Sequence, residues 1–273
     1  MGMLIRHRFS GEILRVVTGK TLRGADLNGV DLREANLIGA DITDADMTGA
    51  DMSGAEMTGA DMSGAEMRRS NLTGANLTGA NLTDANLFGA DMSKATMVRA
   101  TMVRATMRRA NLTGANLTDA NLFDADMSKG DMARATMRRA NLSRTDLPWA
   151  RLHDANLVDS NLAGADMHGS SMRGANLHGA FLQGADISKA NLHGAKGCEV
   201  LPVGDPRGYA AVAVWQVDHW MIAAGCRWFT ITEAREHWGE GYKGDRAIGD
   251  RYLYAMDWFE KRPVPGNEER LQN

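Results

Sequence analysis

Aromatic residues are scarce in this 273-residue chain. They make up 6% of it, and five of the six tryptophans, Trp215, Trp220, Trp228, Trp238 and Trp258, fall in the last quarter. So uneven a distribution argues for two dissimilar parts rather than one uniform core. Cysteine is nearly absent: Cys198 and Cys226 are too few for a disulfide framework and read as free thiols, buried or partly buried. Long apolar runs are missing too. The opening "MGMLIRHRF" lacks the apolar stretch of a signal peptide, and nothing approaches the roughly 20 apolar residues of a membrane span, so the expectation is a cytoplasmic protein without membrane association. The glycosylation-like tripeptides at Asn71, Asn76 and Asn141 are then by-products of a repeat.

What the chain does have is segregated charge. Its net charge of −3 conceals ten acidic residues over 25–66 (Asp26, Asp31, Glu34, Asp41, Asp44, Asp46, Asp51, Glu56, Asp61, Glu66) against Arg33 alone, a balance of −9. Over 67–144 twelve Lys/Arg face six Asp, a balance of +6. Such asymmetry bears on partners and long-range fields, not on fold.

The decisive pattern is a period of five. From Leu22 to Leu192 every fifth residue is Leu, Ile or Met, thirty-five in succession, and the residue two before it is nearly always Ala. An α-helix cannot use this spacing, because five residues advance about 500° and successive large side chains drift by roughly 140° around the cylinder. A straight strand cannot either, since an odd period alternates faces. The pattern fits a chain that runs extended for three residues and then turns a corner. In "Ala-Asp-Leu" the Ala and Leu point inward and Asp outward, and the remaining pair, often Thr-Gly or Ser-Gly, supplies the bend. Repeating that turn winds a coil filled by Ala and Leu/Met, and successive coils stack at about 4.8 Å.

On the motif Ala-(Asp/Asn)-Leu-x-x, as in "GADLNGVDLREANLIGADI", the chain resembles the pentapeptide-repeat proteins over roughly residues 20–196. The resemblance implies a right-handed quadrilateral β-helix with four repeats, twenty residues, per coil and about nine coils in all; periodicity alone gives a coil without saying that it is square. Met at fourteen of the central positions, Met47 through Met67 among them, departs from the usual pattern and reads as gap-filling core. Residues 76–97 match 111–132 at nineteen of twenty-two positions. That offset of thirty-five is not a multiple of twenty, so the copies should land on different faces.

Open coils need capped ends. "MLIRHRFSGEILRVVTG" predicts a hairpin cap over 1–19 with its turn at Ser10-Gly11, ahead of a β-helix over 20–196. Residues 197–208 read as a linker. Residues 209–273 read as a small α+β module: a hairpin in "YAAVAVWQVDHWMIAAG", a helix opened by a capping box from Thr230 to Glu233 and stopped at Gly239, and a second helix from about Asp245 presenting Ile248, Tyr252, Ala255, Met256 and Phe259. The stretch "AAGCRWFTITEAREHWG" resembles a C-terminal module of phage-associated pentapeptide-repeat proteins. The five tryptophans of this part are candidate interface residues, packing on the last coil or on a second copy in a homodimer.

No catalytic, cofactor or metal site is expected. Gly239, Gly241 and Gly244 form a GxGxxG, but it follows a helix where a dinucleotide loop follows a strand, so it reads as a connecting turn. Of the repeat histidines, His153, His168, His178 and His193, only His153 and His193 share a face, two coils apart with Arg173 between them, too far for one ion. Cys226 beside Arg227, with His219 and His237 nearby, has apolar neighbours that favour packing over nucleophilic chemistry.

The functional expectation is therefore a non-catalytic binding protein. The resemblance implies one specific reading, because family members that confer quinolone resistance present an acidic rod to type II topoisomerases. DNA gyrase or topoisomerase IV is then the candidate partner, with Asp41, Asp46, Asp51, Glu56, Asp61 and Glu66 as the contact residues; the competing explanation is that an acid or amide simply belongs at the outward position. A second reading is nucleic-acid binding through Lys94, Arg99, Arg104 and Arg109 and again through Lys129, Arg134, Arg139 and Arg144, although these sets form belts that meet a duplex on one side only. A structural spacer, as in a phage virion, is a third. With twenty residues per coil, Arg99, Asp119 and Arg139 should lie on one line, and Asp84, Arg104, Asp124 and Arg144 on another.

Overall fold

Each repeat makes one short extended step and one corner. In Asn76–Ala80, the Leu77 N–H donates to the Thr96 carbonyl of the next coil at 2.7 Å, and the Thr96 N–H returns to the Ala75 carbonyl at 2.9 Å. The Ala80 N–H closes a turn on the Leu77 carbonyl at 3.0 Å, and Gly79, with φ of +65°, donates to the Val98 carbonyl at 2.9 Å. Positive φ at the third residue of the turn only is the type II signature, which is why glycine recurs there. The outward residue also acts locally. The Asn76 Oδ1 accepts the Thr78 N–H at 3.1 Å, an Asx turn that explains the Asp/Asn consensus.

Parallel bridges join residues twenty apart without a break, from Asp26–Asp46 to Asn176–Lys196, so four repeats close one coil. All thirty-five central residues from Leu22 to Leu192 are buried, none more than 4% exposed, and the methionines among them are fully buried core. At Ser70, Thr145 and Ser160, which replace the inward Ala, the hydroxyl turns onto the backbone, donating to the Met67, Leu142 and Leu157 carbonyls at 2.8, 2.7 and 2.7 Å. The structure is a computed structural model and describes residues 2–201, 211–216, 219–224, 227–239, 242, 244 and 246–260.

The N-terminal cap is the expected hairpin. Strands β1 (Gly2–His7) and β2 (Ile13–Thr18) pair antiparallel, and β1 also pairs antiparallel with β3 (Ala35–Asn36), which lays the hairpin on the first coils. Ile5 enters the core at 1% exposure, and Arg8 pairs with Glu34 at 2.7 Å.

At the other end, β4 (Cys198–Leu201), β5 (Ala211–Gln216), β6 (His219–Ala224) and β7 (Arg227–Thr230) form an antiparallel sheet in that order. The β5–β6 hairpin is as expected. Residues Cys198–Leu201 are not linker: they hydrogen-bond along β5, a non-local pairing that a four-residue stretch does not announce by itself. Helix α1 (Ile231–Trp238) starts at Thr230 with both halves of the capping box present and ends at Gly239. Helix α2 (Arg246–Glu260) contributes Tyr252 and Met256 to a small second core with Ala213, Ile222, Ala234 and Trp238. Trp238 stacks on Tyr252 with ring centroids 4.1 Å apart. Gly239 caps α1 and its carbonyl accepts the Tyr242 N–H at 3.1 Å, a connecting turn; Gly241 lies outside the described residues.

Trp228 joins the two parts. It packs on the rod's core, and its Nε1 donates to the Ala185 carbonyl at 2.8 Å. Along the rod each such carbonyl accepts the N–H of the residue twenty-one ahead, as Ala165 accepts Asp186 at 2.8 Å. At this end of the repeat the indole supplies the donor that the backbone of a following coil supplies elsewhere.

Candidate partner-binding surfaces

The six acidic candidates do not share a face. Asp41 and Asp61 stand on one ladder, Asp46 and Glu66 on a second, Asp51 on a third and Glu56 on the fourth. Each is also engaged locally. Asp51 and Asp61 accept the side-chain amides of Asn71 and Asn81 at 3.0 Å, Glu56 and Glu66 those of Asn76 and Asn86 at 2.9 Å, and Asp46 accepts the Thr48 N–H at 2.9 Å. Contacts from Thr43, then Arg23, hold Asp41 below the usual carboxylate range, and Thr48 does the same for Asp46. Asp31, gripped by Arg33 at 2.6 and 2.9 Å, is lowered to about 2. These groups hydrogen-bond within and between coils as well as facing solvent.

The basic residues occupy corners. Lys94, Arg99, Arg104, Arg109, Lys129, Arg134, Arg139 and Arg144 all have positive φ, between +53° and +59°, at the turn position that glycine holds elsewhere. The twenty-residue map places them as expected. Arg139 clamps Asp119 at 2.7 and 2.8 Å, Arg104 clamps Asp84 at 2.8 and 2.7 Å, and Arg144 faces Asp124 at 3.7 Å. These arginines hold Asp119 and Asp84 below the ordinary carboxylate range. The internal duplication does rotate its copies: Thr96 pairs with Asn116, while its counterpart Asp131 pairs with Arg151 on another face.

Arg109 of the first set and Lys129 of the second become neighbours on a single corner, joined there by Arg68, Arg69, Arg108 and Trp149. Writing the sequence in rows of twenty exposes the column; searching it for runs of like charge does not.

His153, Asp154, Arg173 and His193 line an open cleft of about 500 Å³, Arg173 lying between the two histidines. Among the described residues no three His, Cys, Asp or Glu side chains gather as a metal site. His237 lies in an aromatic cluster, its ring 5.0 Å from Phe229 and 5.1 Å from Trp238; Cys226 lies outside the described residues. Of the five candidate interface tryptophans, Trp228 and Trp238 are used within the chain, on the last coils and in the second core. Trp215 and Trp220 are backbone partners in the β5–β6 register, and the side chains of Trp215, Trp220 and Trp258 lie outside those described.

The profile of the pentapeptide repeats matches residues 21–54, 50–84, 80–119, 115–154 and 155–194. The chain belongs to the pentapeptide-repeat family. The coil is therefore the right-handed quadrilateral β-helix of that family. A trypsin-treated variant of QnrB1, a plasmid-mediated fluoroquinolone resistance protein, is 18% identical, with 65% of this chain and 91% of that one covered at a TM-score of 0.52, a likeness of fold. HetL, a pentapeptide-repeat protein involved in heterocyst differentiation regulation from the cyanobacterium Nostoc sp. strain PCC 7120, is 31% identical over 64% of this chain and 84% of its own, with a TM-score of 0.41. Rfr23 from the cyanobacterium Cyanothece 51142 is 34% identical over 46% of this chain and 86% of its own, with a TM-score of 0.33. No curated protein matches the chain.

Proposed function

We propose that the rod is a non-catalytic protein-binding scaffold whose acidic N-terminal coils occupy a DNA-binding surface of a type II topoisomerase, DNA gyrase or topoisomerase IV. Charge density carries this reading. Residues 25–66 hold a balance of −9 in about two of the rod's about nine coils, or about 10 Å of axis at the usual strand spacing. Duplex DNA carries one charge per about 1.7 Å, so the segment is at least as dense in negative charge as the polymer it would replace. It is also short. At 3.4 Å per base pair it spans about three base pairs, so the mimicry is a local contact and not a full-length imitation.

Asparagine already stands in for aspartate in the same ladders and keeps the Asx turn, which gives a clean test. The triple variant Asp41→Asn, Asp51→Asn, Asp61→Asn should fold as the wild type does and lose inhibition of gyrase supercoiling. Undiminished inhibition by the variant, or none by the wild type, rejects the proposal.

A further inference from the structure

We infer that the corner carrying Arg68, Arg69, Arg108, Arg109, Lys129 and Trp149 is a binding ridge for single-stranded nucleic acid. The twenty-residue ladder stacks turn residues into four corner columns. Three of these hold carboxylates: Asp84 and Asp124 on one, Asp119 and Asp159 on another, Glu34 and Asp154 on the third. The fourth runs from Asn28-Gly29 to Ser188-Lys189 and has no Asp or Glu anywhere along it.

Its cations are only partly neutralised. Arg68 leans to Glu66 at 3.3 Å and Arg108 to Asp126 at 3.6 Å on one flanking face. On the other flank Asp131 is taken by Arg151 at 3.1 Å, and Asp91 by the Asn111 amide at 3.1 Å. Among the described residues no carboxylate lies within ion-pair distance of Arg69, Arg109 or Lys129. All three have left-handed backbones, φ of +56°, +58° and +58°, and so does Trp149 at +60°. Glycine takes that conformation freely, whereas a larger residue there is strained by about 1 kcal/mol or more. Local pairing does not offset the strain on this corner as it does at Arg104 or Arg139.

Trp149 supplies what a purely electrostatic patch lacks. Trp149 is 55% exposed as a residue and follows Pro148, which sits at the turn position that proline pre-sets; its ring meets His168 edge-on at 5.4 Å. It lies over Gly169, where an added Cβ would come within 2.6 Å of the ring. Phe88 stands on the same column upstream. A held, exposed aromatic in line with arginines is the arrangement on which unpaired bases stack while their phosphates are neutralised. A duplex keeps its bases stacked on each other and leaves the indole nothing to cover. An acidic peptide engages the cations but not the ring. From Arg68 to Trp149 the ridge runs four coils, about 19 Å. It is convex and narrow, suited to one strand.

The proposal stands independently of the acidic-coil reading and is tested on the full chain by fluorescence anisotropy, with a labelled 15-nucleotide oligo-dT, a duplex of equal length and polyglutamate as probes. The expected order is oligo-dT tightest, with a slope of log K against log salt near −3.5 for five phosphate contacts. The variant Arg69→Gly, Arg109→Gly, Lys129→Gly should stay folded, because glycine fits the backbone there, bind at least tenfold more weakly and show a slope lower by about 2. Lys94→Gly, Arg99→Gly, Arg134→Gly makes the same charge change on the other corners and should bind within about twofold of wild type. Trp149→Gly should remove the oligonucleotide-induced quenching of tryptophan fluorescence and about tenfold in affinity. Equal losses in the two triple variants, a duplex or polyglutamate bound as well as oligo-dT, or no binding at 25 mM salt would each overturn the inference.

Discussion

Asp146 is the one aspartate of its ladder without the local hydrogen bond that the repeat provides. Asp126, Asp166 and Asp186 accept the N–H groups of Ser128, His168 and Ser188 at 3.0, 2.9 and 2.8 Å. The corresponding residue after Asp146 is Pro148, which has no N–H to give. Desolvation, and then repulsion from Asp126 and Asp166, push its pKa above the usual 3.8. At a coil spacing of about 4.8 Å, each like-charge neighbour costs about 0.9 kcal/mol in a water-like dielectric. Asp146 is exposed, so screening trims the pair to about 0.5–1 kcal/mol in total. Asp146→Asn removes that repulsion and adds an amide donor toward Asp126, as Asn71 donates to Asp51 at 3.0 Å, worth a further 0.5–1 kcal/mol or so. A carboxyl raised in the folded state binds protons more tightly there, so wild-type stability falls as pH rises from the unfolded value through the folded one. The gain from Asp146→Asn should therefore be full, about 1–2 kcal/mol, at pH 7 and shrink as pH drops through the raised folded value toward the usual aspartate value. Urea midpoints of variant and wild type at neutral pH and at about pH 3.5 measure it. Pro148→Ala should restore the donor and lower the Asp146 titration, followed by NMR. A variant less stable at pH 7, or an equal gain at both pH values, refutes the reasoning.

Trp228→Phe keeps most of the apolar contact but strips the Ala185 carbonyl of its donor, and should lower stability by about 1 kcal/mol in urea denaturation. Gly169→Ala meets both a φ of +63° and the Trp149 ring; it should cost about 1–2 kcal/mol and alter the fluorescence of Trp149, whereas the same change at Gly114, with open space around it, should cost only the backbone share. Ser170 is 1% exposed, and its hydroxyl has no hydrogen-bond partner in the structure. Ser170→Ala should therefore be neutral or stabilising by up to about 1 kcal/mol, where Ser160→Ala, which removes a bonded hydroxyl, should destabilise.

How much of this was legible in the sequence depends on whether a feature is local. The period of five is local, and it gives inward Ala and Leu/Met, an outward Asp or Asn and a corner at the same step each time. The capping box at Thr230 and the N-terminal hairpin are local too, and both stand where the residues put them. Strand β4 is not local: Cys198–Leu201 becomes a strand by pairing with residues ten or more positions away. The surface is less legible still, because a side chain's neighbours on the rod lie twenty residues off, and a coil of five-residue steps does not state how many steps close it. Once four is known, the charges rearrange. The acidic residues that looked like a patch disperse over four ladders, where amides and threonines use them as structure. Within the basic belts Arg104, Arg139 and Arg144 are answered by Asp84, Asp119 and Asp124, while Arg109 and Lys129 gather with Arg69 and Trp149 on one corner. On that corner left-handed backbone strain falls on three cations that no described carboxylate pairs with, stacked in one column beside an exposed indole, and a partner's phosphates are the groups that would neutralise them.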